Sequence, residues 1–173
     1  MKEIKIAKEC LFTAMKKTQV FYMLSEDLLA EITENSQVLE YQDREIIITE
    51  GEISSYFYVI LGGAVSVTAD RNEKKGVFIC SLGSGDIFGE ASIFLDLKRT
   101  AHVTAENKAM LLRIERKYLL KFIRKNSGEG VKILMIIIYS LLKKLREANQ
   151  ELAFERKSNI SDNEIDSLIA SMK

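Results

Sequence analysis

The chain has no proline and no tryptophan, only two cysteines and one histidine, and no surplus of either charge. Each scarcity excludes something. Cys10 and Cys80 are seventy positions apart with no CxxC spacing, and His102 is the single imidazole. A disulfide framework or a zinc site would have almost nothing to be built from. The 25 basic residues are cancelled by 25 acidic ones, so the basic excess that marks most nucleic-acid binders is missing. The longest apolar run, ILMIIIYSLL (133–142), falls short of the roughly 20 residues needed to cross a bilayer. The opening MKEIKIAKEC has no apolar core of a secretory signal. These absences lead us to expect a cytoplasmic, reduced protein with no membrane span and no nucleic-acid partner. Without proline, turn formation falls almost wholly to nine glycines.

The patterning changes twice along the chain. Ile4, Ala7, Leu11 and Ala14/Met15 recur at helical spacing, and Ser25 is placed to cap a second helix bearing Leu28, Leu29 and Ile32. From about residue 38 come VLEYQDREIII, YFYVIL, AVSVTA, VFICSL and MLLRI. They are separated by EGE (50–52), LGG (61–63), DRNEKKG (70–76) and GSGD (83–86). Short runs rich in Val, Ile, Tyr and Phe between glycine turns predict a β-sandwich or small barrel of about eight short strands. After Ile114 the helical period returns with Tyr118, Leu119 and Phe122, and NSGEG (126–130) interrupts it.

A long helix is expected from about 131 to 156, with two apolar stripes. Val131, Met135, Ile138, Leu142, Leu145, Asn149 and Leu152 step by four and three, a heptad seam with a polar residue in it. Leu134, Ile137, Leu141 and Ala148 form the second face. A helix apolar on two sides has two sides to bury. The seam points to a homodimer, the alternative being burial wholly within the chain's own fold. The expected architecture is α+β: N-terminal helices over 1–36, a β region of about eight short strands with its C-terminal helices over 37–157, and an amphipathic tail over 158–173.

One stretch concentrates chemistry: GSGDIFGEASIFLDLKRTAHV (83–103). Gly83 and Gly85 permit a tight turn, and Gly89 permits a close backbone approach. A helical turn over 89–94 would present unpaired N–H groups to an anion, and Arg99 could add two parallel donors. Glu90 would repel a bare phosphate but accept hydrogen bonds from hydroxyls. A ribose-phosphate edge satisfies both demands, while an ordinary Glu90–Arg99 salt bridge across a loop satisfies the same residues without a ligand. No nucleophile with its base, no acid–base pair and no P-loop accompanies them. The expectation is therefore a binding protein, not an enzyme.

FGEASIFLDLKRTAHVTA (88–105) resembles the phosphate-binding cassette of the cyclic nucleotide-binding domain family, the type found in catabolite activators and protein-kinase-A regulatory subunits. The nine-residue step from Glu90 to Arg99 fits, as do EGE (50–52), YVILGGAVSV (58–67) and the Gly85–Asp86 pair. The likeness covers roughly residues 20–150. The chain departs from it in YQDREI (41–46), which lacks a usual glycine, and at Lys98, where a proline is frequent.

The resemblance implies a β-roll flanked by helices and a cyclic nucleotide as ligand, cAMP first and cGMP second, with no cofactor and no metal. By position, Arg99 would pair with the cyclic phosphate and Glu90 with the ribose 2′-hydroxyl. The N–H groups of Ala91 and Ser92 would complete the cradle, and Gly89 would give access to the sugar. Val67 and Ile79 would pack near the ligand, and Thr100 could reach the purine. Leu141, Leu142, Leu145, Arg146 and Asn149 are candidates for a lid over the base. His102 is expected to be outward or partly packed.

Only about 20 residues follow the long helix, too few for a helix-turn-helix output domain. The expectation is a stand-alone sensor, with a scaffold module that binds no nucleotide as the alternative and a DNA-binding regulator disfavoured. The tail ISDNEIDSLIASMK (160–173) sets Ser161 and Glu164 at capping-box spacing ahead of Ile165, Leu168 and Ile169. Residues 160–169 also resemble the N-terminal peptide of flagellar motor switch proteins, which implies a response-regulator or motility partner. A tail that folds back on the domain is the other reading.

Overall fold

The structure is a computed structural model of the 173-residue chain. It describes residues 1–71, 74–91 and 98–171, and only the backbone of 74, 151, 152 and 154–171. The chain divides into two compact units, Met1–Ile137 and Ile138–Lys173.

The first unit is a β-roll with helices before and after it. Its strands are β1 (Lys2–Glu3), β2 (Ser36–Tyr41), β3 (Ile46–Ile48), β4 (Tyr56–Arg71), β5 (Lys74–Gly83), β6 (Ile87–Phe88) and β7 (His102–Glu115). All pairings are antiparallel, in the order β1-β2-β7-β4-β5, with β3 on β7 and β6 on β4. Leu39, Tyr41, Ile48, Tyr58, Ile60, Val65, Phe88, Val103, Ala105 and Leu111 fill the roll.

One expected turn is not a turn, and one expected strand is part of a longer one. YFYVIL and AVSVTA form one 16-residue strand that passes straight through Gly62–Gly63, and MLLRI is the second half of the 14-residue β7. The register of β4 on β7 slips at Gly62 and again before Ala64. Gly63 sits at φ +81°, where a Cβ would be 2.3 Å from the Lys108 carbonyl oxygen. The glycines therefore make a bulge at which β4 bends while its backbone touches β7. A local reading cannot tell that bulge from a turn.

Around the roll, α1 (Lys8–Lys16) starts later than expected, because Lys2–Glu3 pairs with β2 as a strand. In α2 (Glu26–Glu34) Ser25 accepts a long 3.5 Å bond from the Leu28 amide, and Leu29 and Ile32 are buried. Leu119 and Phe122 are the buried face of α3 (Arg116–Lys125), and Tyr118 Oη donates to the Glu31 carbonyl at 2.7 Å. The interruption at NSGEG shrinks to one residue, Asn126, and α4 spans Ser127–Ser171. Gly130 is inside α4, where a Cβ would stand 2.6 Å from the Ile123 oxygen. That glycine lets α4 cross α3 at close range rather than breaking it. Ile133 and Ile137 are the buried side chains of this first stretch of α4.

In the second unit α4 continues unbroken through 160–171. Ser161 thus lies inside a helix and not at a helix start, so the capping-box expectation fails there. No helix among the described residues is long and apolar enough to cross a membrane.

Candidate functional site

Thr18, Glu90 and Arg99 are the buried polar or charged residues among those described. Two of the three are the pair singled out from sequence. Burying a carboxylate and a guanidinium is costly unless each is met by fixed partners, and the roll supplies those partners for Arg99 from several directions.

The backbone of Arg99 is clamped by the EGE turn. The Gly51 amide donates to the Arg99 oxygen at 2.8 Å, and the Arg99 amide donates to the Glu52 oxygen at 2.8 Å. Gly51 takes φ +83°, the left-handed conformation that this tight turn requires. The Arg99 guanidinium then reaches inward. Nη1 donates to the Gly89 carbonyl at 3.2 Å, and Nη2 donates to Ser54 Oγ at 3.1 Å and to the Tyr56 carbonyl at 2.6 Å. Burial pulls the Arg99 pKa below its usual value, and the nearby Tyr58, Glu90 and Glu52 oppose that shift. At any physiological pH the group remains a cation.

Gly89 is at φ +75°, and a Cβ there would be 2.7 Å from Arg99 Nη1 and 3.0 Å from the Tyr56 oxygen. In the structure the close neighbour is the Arg99 guanidinium. Just before Gly89, Phe88 stacks on Tyr58 with centroids 4.9 Å apart and planes within 3°. That stack fixes the point at which the chain leaves β6 toward Glu90.

Of the remaining candidates, Ala91 is exposed, while Ser92 lies outside the described residues. Thr100 is exposed beside Arg99. Val67 is half-buried against the roll core, and its cross-strand partner is Cys80. The register slips at this point, since Thr68 pairs with Phe78, and Ile79 becomes the extra residue of a bulge. Cys80 packs on the core cluster beside Val67. The lid candidates belong to the second unit, where Leu142, Leu145, Arg146 and Asn149 are exposed and Leu141 is half-buried.

Ser54 and the Tyr56 carbonyl were not foreseen as partners of Arg99. Nothing marks Ser54 locally, and a main-chain acceptor leaves no trace in a sequence.

The roll thus buries one carboxylate, Glu90, and one arginine, Arg99, beside a glycine turn. The chain belongs to the cyclic nucleotide-binding domain family, whose model matches residues 38–126. A cGMP-dependent protein kinase of Drosophila melanogaster is 35% identical over 96 residues, 54% of this chain and 10% of the kinase. The structure of a cyclic nucleotide-binding domain from Methylobacillus flagellatus superposes with a TM-score of 0.72 at 23% identity, over 86% of this chain and 83% of that one. At that identity the likeness speaks for the fold alone. A cAMP-bound PfPKA-R structure gives a TM-score of 0.58 at 25% identity, over 70% of this chain and 44% of that one. This chain spans only 10–16% of the length of curated relatives such as the kinase and an Arabidopsis thaliana potassium channel.

Proposed function

We propose that this chain is a cytoplasmic, non-enzymatic cyclic nucleotide sensor, with cAMP as its first ligand and cGMP as its second. The observation that carries this reading is the burial of Glu90 and Arg99 together in a roll of the cyclic nucleotide-binding family. Arg99 takes the cyclic phosphate and Glu90 the ribose 2′-hydroxyl. The amides of Ala91 and Ser92 join the phosphate, while Val67, Ile79 and Thr100 border the sugar and base. A guanidinium has five N–H donors, and Gly89, Ser54 and Tyr56 take up part of that capacity. Those three acceptors hold the fork in place, so little side-chain entropy is lost when an anion arrives.

Output runs through α4. Val131, Met135, Ile138, Leu142 and Leu145, the described apolar residues of the heptad seam, are all exposed large hydrophobics. An exposed apolar seam is what a second copy of the same helix covers, so we assign a homodimer. Ligand shifts the population of α4 arrangements, with Leu141, Leu142, Leu145, Arg146 and Asn149 as the lid, over domains of 1–36, 37–157 and 158–173. The tail offers a docking segment to a response-regulator or motility protein.

Isothermal titration of the purified chain with cAMP and with cGMP tests the central reading. Saturable binding of either supports it. No heat with both, from folded protein, would favour the alternative of a scaffold that keeps the roll but takes no nucleotide.

A further inference from the structure

Outside the cassette, three side chains from three parts of the roll converge: Glu50 in the turn after β3, Asp70 near the end of β4, and His102 at the start of β7. His102 Nε2 is 3.8 Å from Glu50 Oε2 and 3.7 Å from Asp70 Oδ1. On its other side the ring is an acceptor, because the Glu50 amide donates to His102 Nδ1 at 3.1 Å. Both carboxylates are themselves fixed, Glu50 Oε2 by the Asp70 amide at 2.9 Å and Asp70 Oδ1 by the Gly76 amide at 2.8 Å.

By composition such a trio would suit a divalent ion. The hydrogen bonding argues otherwise. A neutral imidazole that ligates through Nε2 carries its proton on Nδ1, and here Nδ1 faces the Glu50 N–H. The ring therefore holds its proton on Nε2, turned toward the two carboxylates. What the geometry fixes is the ring's tautomer and, through Nδ1, its bond to the Glu50 amide.

Its position gives that bond a consequence. Glu50 is followed by Gly51 and Glu52, whose amide and carbonyl clamp the Arg99 backbone. His102 is three residues past Arg99. The neutral ring, by accepting from Glu50, ties the start of β7 to the turn that grips Arg99. We propose that His102 is a positioning residue for Arg99: its Nδ1 bond to the Glu50 amide holds the turn whose next two residues clamp the Arg99 backbone, and so supports anion binding at the cassette.

The inference rests on the nucleotide reading, so its test has two independent readouts on the full chain. Imidazole 15N shifts in ligand-free protein at about pH 8 should report the Nε2–H tautomer, and rapid tautomer averaging would overturn the clasp. Calorimetry with cAMP at about pH 8 should give His102→Ala an affinity about tenfold weaker than that of the wild type, the scale of one lost hydrogen bond. His102→Asn, whose amide oxygen can accept from the Glu50 amide, should recover most of that loss. Wild-type affinity in His102→Ala, or an Asn variant no better than the Ala one, would overturn the role of His102. Failure of cAMP and cGMP to bind at about pH 8 would instead overturn the nucleotide reading, leaving the NMR result to decide the clasp.

Discussion

Gly89 and Arg99 share one volume: the space a Cβ would fill at position 89 is 2.7 Å from the arginine Nη1, and the Gly89 carbonyl accepts from that same nitrogen at 3.2 Å. The glycine at the start of the cassette and the arginine at its end are therefore one structural unit. Its purpose is to let a guanidinium lie flat against the backbone.

Substituting Gly89 by Ala should be costly twice over. The residue is in the left-handed region, and the added methyl would displace the arginine. A loss of about 2 kcal/mol or more of stability, read from urea unfolding, should accompany weakened nucleotide binding. Wild-type stability and affinity in Gly89→Ala would contradict the shared-volume account.

Replacing Arg99 by Ala should lower cAMP affinity by about a hundredfold or more, the scale of a lost bidentate charge-assisted contact. Arg99→Lys keeps the charge but loses the fork, and should recover only part of it. Near-normal affinity for Arg99→Ala in calorimetry would remove Arg99 from the site.

The glycines can be graded by what surrounds them. Gly63 at φ +81° has the Lys108 oxygen 2.3 Å from its would-be Cβ, whereas Gly76 at φ +66° has nothing within 4 Å. Gly63→Ala should cost about 3 kcal/mol or more, from strain and overlap together. Gly76→Ala should cost about 1 kcal/mol, from the backbone conformation alone. Equal denaturation midpoints for the two variants would argue against the bulge at Gly62–Gly63.

Burial pushes the Tyr41 phenol up to about 12, with the neighbouring Tyr58 adding to the shift. In an unfolded chain a tyrosine ionises near about 10. The unfolded state thus loses its proton first as pH rises, so this stabilisation is complete below about pH 10 and drains away toward pH 12. Between about pH 9 and about pH 11 the urea midpoint of the wild type should fall further than that of Tyr41→Phe. Parallel declines would show that Tyr41 does not govern alkaline stability.

The seam of α4 yields a test of assembly. Leu142→Glu with Leu145→Glu places two charges where the structure has exposed leucines. Sedimentation of wild-type protein should show a dimer and the double variant a monomer, with the roll still folded by circular dichroism. A wild type that is monomeric at every concentration would end the homodimer proposal.

Much of this molecule was legible in its sequence, because the signals are local or strictly periodic. The switch from period 3.6 to short β runs and back set out the helix–roll–helix layout. The spacing from Glu90 to Arg99, together with EGE and the hairpin pattern, marked the family cassette. Ser25, Leu29 and Ile32 fell where capping and amphipathicity put them. What only the tertiary structure decided depends on partners distant in the chain. LGG reads as a turn until β7 lies against it, when Gly62–Gly63 becomes a bulge inside one long strand. Gly89 reads as a point of close backbone approach, and only the fold shows that the guanidinium of a residue ten positions away comes close to it. Ser54, the Tyr56 carbonyl and the Glu50 amide carry no signature at all. They acquire roles only because the roll brings three loops to the same end of β7, where hydrogen-bond donors and acceptors must find one another or go unpaid.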